Sequence, residues 1–135
     1  MAANRKETMS IARKEAIIAL TPAADHSEKE GYFIQLTAGV PVVISSAATV
    51  PFGIIIDGEE ADGVDSVGVC GGNLPTVRVK LSGTVAKGDS LQLAADGSAV
   101  VDAGSGARVV VGKALEAGVS GDLIETVILT PVSYS

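Results

Sequence analysis

Tryptophan is absent from this 135-residue chain, and tyrosine and phenylalanine occur twice each. Interfaces built on aromatic anchors, and nucleic-acid platforms built on stacked rings, are thereby excluded as its main device. The one cysteine, Cys70, allows no internal disulfide and fits a reducing compartment. The one histidine, His26, leaves little material for a nucleophile–base couple. No apolar run approaches the roughly 18 residues a membrane-spanning helix needs. The stretch AIIAL (16–20) is flanked by charges and too short for the apolar region of a signal peptide. Residues 1–30 contain no glycine, although the chain holds 16.

Charge is unevenly placed. The net charge is −6, which makes nucleic acid an improbable partner for the body. Residues 1–15 nevertheless carry Arg5, Lys6, Arg13 and Lys14 against Glu7 and Glu15, a balance of +2, so the remainder carries −8. Residues 1–30 therefore read as an arm distinct from a single domain over 31–135. Within the arm, MSIARKEAIIAL reads equally as a short helix, with Ser10 near its cap and Pro22 past its end, or as an extended segment that orders on a partner.

From Tyr32 onward the texture is β. FIQL, VPVVI, FGIII, SVGVC, VRVKL, SLQLA, SAVV, RVVVGKAL and LIETVIL are short apolar runs bounded by turn residues. In VRVKL, Val77, Val79 and Leu81 are expected inside and Arg78 and Lys80 outside. In LIETVIL, Leu123, Val127 and Leu129 share a face with Glu125. AADGS (94–98) reads as a hairpin turn. Some nine strands at this spacing predict an all-β, compact antiparallel barrel or sandwich. Two internal echoes suggest similar halves: 33–44 with 79–93, and 52–69 with 111–128.

The residues offer little chemistry. His26 sits in the polar run DHSEK and reads as a solvated linker residue. Cys70, in an alternating apolar run, reads as a buried inert thiol. The acidic loop DGEEADGVD (57–65) fails the calcium-loop template, because Ala61 and Asp62 fall where an oxygen ligand and glycine belong, and reads as a solvated turn. GSGARV (104–109) runs into a strand rather than the helix a phosphate cradle requires. VAKGDSLQLAADGSAVV (85–101) resembles half of a biotinyl or lipoyl carrier domain, but its AADGS tip lacks the lysine. No catalytic residue, metal site or cofactor is expected, and the chain is read as not an enzyme.

The pair TVAKGDSLQLAADGSAVV (84–101) and ARVVVGKALEAGVSGDLIETVIL (107–129) resembles the small bacteriophage head decoration, or capsid cement, proteins. GVPVVISSAATVPFGIIIDGEEADG (39–63) matches more loosely, and the glycine-free arm departs from the family pattern. The resemblance implies a structural virion protein bound to the outside of a capsid, with the major capsid protein and its own copies, in a homotrimer, as partners. It implies no nucleic acid, no membrane, and residence in the host cytoplasm during assembly. The arm residues expected to touch shell or neighbouring subunit are Arg5, Lys6, Ile11, Arg13, Lys14, Ile17, Ile18 and Leu20. Competing readings are another β-rich assembly subunit, such as a tail tube or head fibre base, and a ligand-binding barrel or enzyme.

Overall fold

A computed structural model describes residues 16–71, 74 and 76–135. All ten elements in it are strands: β1 (Ile17–Leu20), β2 (Phe33–Thr37), β3 (Val40–Val43), β4 (Gly53–Asp57), β5 (Asp65–Val69), β6 (Val77–Lys80), β7 (Ser90–Leu93), β8 (Ala99–Val101), β9 (Arg108–Ala114) and β10 (Leu123–Tyr134). The first five form one antiparallel sheet in the order β1-β5-β4-β2-β3. The last five form a second in the order β6-β10-β9-β7-β8. Each run expected to be a strand is one. The additions are β1, drawn from the arm, and the extension of β10 to Tyr134.

The two sheets have the same topology, and the correspondence reaches single hydrogen bonds. His26 N–H donates to the Glu59 carbonyl and Val85 N–H to that of Gly118; Asp62 donates to Pro22 and Gly121 to Leu81; Gly63 donates to Glu60 and Asp122 to Val119. Every residue here lies 59 positions from its counterpart. Gly53 and Gly112 obey the same offset and share one cause: a Cβ on either would stand 2.5 Å from a backbone carbonyl oxygen, of Gly68 and Val127 respectively. The echo of 52–69 in 111–128 is therefore in register. The other echo is one strand out, since β2–β3 corresponds to β7–β8 and not to β6–β7. The error came from matching one strand–turn–strand outline to the next.

The main core gathers Val79, Leu81, Val85, Leu91, Val111 and Ile124 of the second half with Phe33, Ile44 and Ile54 of the first. A smaller cluster holds Ile34, Ile55 and Val67, with Ile18, Leu20, Val43 and Phe52 against it. Neighbours such as Phe33/Ile34 and Ile54/Ile55 thus point into different clusters, as the period of two demands. That explains why FGIII is apolar throughout. Burial of such side chains, about 1.5–3 kcal/mol each, is the dominant favourable term. In β6, Val77, Val79 and Leu81 are buried as expected. In β10 the inward residues are Ile124 and Thr126 rather than Leu123 and Glu125; Thr126 satisfies its hydroxyl on the Ile124 carbonyl at 3.1 Å.

Candidate interaction surface

The strongest polar feature lies at one end of the first sheet. His26 is 3% exposed and Asp65 fully buried. The His26 Nδ1 lies 2.6 Å from Asp65 Oδ2, and Asp65 Oδ1 accepts the Glu59 N–H at 2.8 Å. One carboxylate thus ties the β1–β2 connection to the β4–β5 loop. This corrects the reading of His26 as a solvated linker residue and of 57–65 as a wholly solvated turn. The partner that buries His26 is 39 positions away, so neighbouring polar residues gave no sign of it. The 59-residue offset was the available signal: it aligns His26 with Val85 and Asp65 with Ile124, both apolar core positions.

Beside this clasp the halves diverge. In the second sheet, the chain after β6 closes onto the far edge strand through a parallel bridge, Leu81 to Ala99, and Ser82 N–H donates to the Ala99 carbonyl at 3.0 Å. In the first half the offset puts Pro22 at the place of Leu81, and the strand registers put Pro41 at that of Ala99. A parallel bridge draws on an N–H at its centre, and proline has none. The seam is open. An apolar groove of about 260 Å³ runs between the β1–β2 connection and β3, lined by Ala23, Ala24, His26, Pro41, Val42 and Val43, with Asp25 and Lys29 at its rim. Val42 is 37% exposed. Pro41 also blunts β3 as an edge strand.

The connections at this end of the sheet are acidic. Asp25 and Glu28 on one loop, and Asp57, Glu59, Glu60 and Asp62 on the other, are exposed. These loops are joined by the His26–Glu59 and Asp62–Pro22 bonds. The Ser27 hydroxyl and N–H hold the Asp25 carboxyl below the usual carboxylate range. Six carboxylates against Lys29 therefore concentrate −5 of the body's −8 at this end.

Of the residues expected to make contacts, Ile17, Ile18 and Leu20 lie in β1, paired with Gly68, Val67 and Asp65 of β5. Ile18 and Leu20 pack on the smaller cluster. Ile17 borders a second groove, of about 220 Å³, with Glu30, Ile56, Val77, Arg78 and Glu125. Arg5, Lys6, Ile11, Arg13 and Lys14 lie outside the described residues. Cys70 is half-buried, and desolvation pushes its thiol pKa up to about 12. At the far end of β9, Arg108 Nε donates to Asp102 Oδ1 at 2.5 Å, and the guanidinium stands 4.4 Å from the centre of the Tyr134 ring.

No protein-family model matches the chain, and no curated protein does. Among solved structures the chain is similar to the N base of head fibre gp8.5 in bacteriophage phi29. The TM-score is 0.58 and the identity 19%, over 83% of this chain and 92% of that one. At that identity the likeness concerns the fold.

Proposed function

We propose that this chain is a non-enzymatic structural protein of a bacteriophage head, bound to the outside of the capsid. The observation that carries this reading is the shared fold with a phage head fibre base over nearly the whole of both chains. The resemblance of residues 84–101 and 107–129 to head decoration proteins is a separate line of support. In the decoration reading, copies associate, as a homotrimer, and sit on the major capsid protein. Many ordinary interfaces then add through multivalency to raise the cost of opening the shell. Residues 1–15, with Arg5, Lys6, Ile11, Arg13 and Lys14, make contacts beyond their own domain, while β1 anchors them.

The head fibre base is a second reading, favoured by the name of the structural neighbour. In it the same body seats a projecting appendage. Purified protein is mixed with undecorated expanded heads and sedimented. Co-sedimentation at saturable stoichiometry is expected, and failure to bind any head form refutes both readings. Electron microscopy of the complexes separates them: isolated surface knobs mark decoration, and protruding fibres in the whole virion mark a fibre base.

A further inference from the structure

We infer that the open seam of the first half receives the basic N-terminal segment, residues 1–15, of a second copy of this chain. The inference rests on the reading of that segment as a contact-making arm, and it names the surface contacted.

Three observations meet at the seam. First, the second half shows what closure looks like, through Leu81, Ser82 and Ala99, whereas in the first half Pro41, at the place of Ala99, has no N–H to give to such a bridge. The result is an apolar groove floored by Val43, which packs on the smaller cluster, and walled by alanines and Val42. Second, the two connections at this end of the sheet carry −5, with Asp25 and Lys29 of that set on the groove itself, and residues 1–15 carry +2 with Met9 and Ile11 in the same stretch. Charges of that sign within a Debye length of about 8 Å attract and orient the encounter. Third, the chain leaves the fold in the wrong direction to reach its own groove. Val69 N–H donates to the Ala16 carbonyl, so at Ala16 the backbone still runs along β5 and away from Pro22. Return to its own groove would take a reversal of the chain before Ala16. Fifteen residues reach about 50 Å when extended, enough to span to a neighbour. Exchange of identical segments between copies is an economical route to closed assemblies.

The test uses full-length chains in a Cys70→Ala background. One carries Ala12→Cys and the other Val42→Cys, and disulfide formation in the mixture is followed at low salt. Formation of the mixed dimer at least tenfold faster than between Ala12→Cys and Ser105→Cys chains is expected, with a further tenfold or greater slowing when Glu59→Lys and Glu60→Lys are added. A rate equal to the Ser105→Cys control overturns the assignment of the groove. Rapid closure within a chain carrying both Ala12→Cys and Val42→Cys, with no mixed dimer, overturns exchange between copies. The lysine variants alter only exposed positions, and their thermal unfolding confirms folding. Head binding is scored separately, so loss of this contact and loss of the capsid reading give different results.

Discussion

The 59-residue correspondence allows the His26–Asp65 clasp to be replaced by what the other half uses at the same place. The variant His26→Val/Asp65→Ile copies Val85 and Ile124. Each single change breaks the pair. His26→Val leaves a fully buried carboxylate with one partner, the Glu59 N–H. Leaving a buried carboxylate without its side-chain partner costs about 3–5 kcal/mol. Asp65→Ile leaves a buried imidazole without its acceptor and also frees the Glu59 N–H, together about 3 kcal/mol. The double variant buries no unpaired side chain. Its residual cost is the Glu59 N–H, whose counterpart in the second half, the Gly118 N–H, donates to the Val85 carbonyl at 3.0 Å. Glu59 is exposed, so water takes up much of that loss, and about 1 kcal/mol remains. Added independently, the singles would cost about 6–8 kcal/mol, which would consume a typical domain stability of 5–15 kcal/mol. Urea unfolding of the four proteins at pH 7 measures the cycle. The double variant should lie within about 1–2 kcal/mol of the parent, some 4–8 °C in Tm, with a coupling energy of several kcal/mol. A double variant as unstable as the sum of the singles refutes the equivalence of the halves at this site.

The β2–β3 hairpin turns on Ala38 and Gly39, with φ of 51° and 81°, so Ala38→Asn should stabilise the fold by about 0.5–1 kcal/mol in thermal unfolding, asparagine tolerating that region and matching the preferred turn. A Cβ at Gly58 would land on the His26 carbonyl oxygen; Gly58→Ala should destabilise by about 1–3 kcal/mol and loosen the clasp, seen as faster exchange of the Glu59 amide. The Cys70 thiol, raised to about 12 by desolvation, should resist iodoacetamide at pH 8 in the folded protein and react only as fast as the chain opens. The Asp102 carboxyl is held low first by the Gly104 N–H and then by Arg108. Its contribution is therefore present above the unfolded carboxylate pKa and is lost as pH falls through the folded value. Tm curves of the parent and Asp102→Asn should differ at pH 6 and converge in strong acid.

What was legible in the sequence was everything local. Alternation in VRVKL placed Val77, Val79 and Leu81 correctly, because a strand with one wet face must alternate. Asp-Gly in AADGS marked its hairpin: Gly97 has φ of 88° and Ser98 N–H bonds to Asp96. The duplicated topology was half legible, since the second echo fell in register while glycine- and valine-rich strands resemble one another too closely to fix the first. LIETVIL showed which residues share a face but not which face is inward, because its large aliphatics lie on both and Thr126 rather than a hydrocarbon fills an inward position. IIAL of β1 sits in a charged, glycine-free stretch that reads equally as helix or extended arm, and its pairing with β5 makes it a strand. His26 and Asp65 were beyond local reading. Each looks solvated among its neighbours, and each is buried by the other across 39 positions.

Duplicated scaffolds make their own controls, and the differences here are not spread evenly. Where the second half has Leu81, Val85, Ala99 and Ile124, all 2% exposed or less, the first has Pro22, His26, Pro41 and Asp65. All four substitutions fall at the end where the seam opens and the carboxylates gather. A fold whose second copy builds this corner from hydrocarbon alone gains nothing in stability from a polar clasp and two prolines there; buried pairs of this kind roughly break even against apolar residues at best. Pro41 removes the N–H the bridge needs, and the clasp holds the two acidic loops together beside the gap the bridge would have filled. The corner is thus kept open without being left loose.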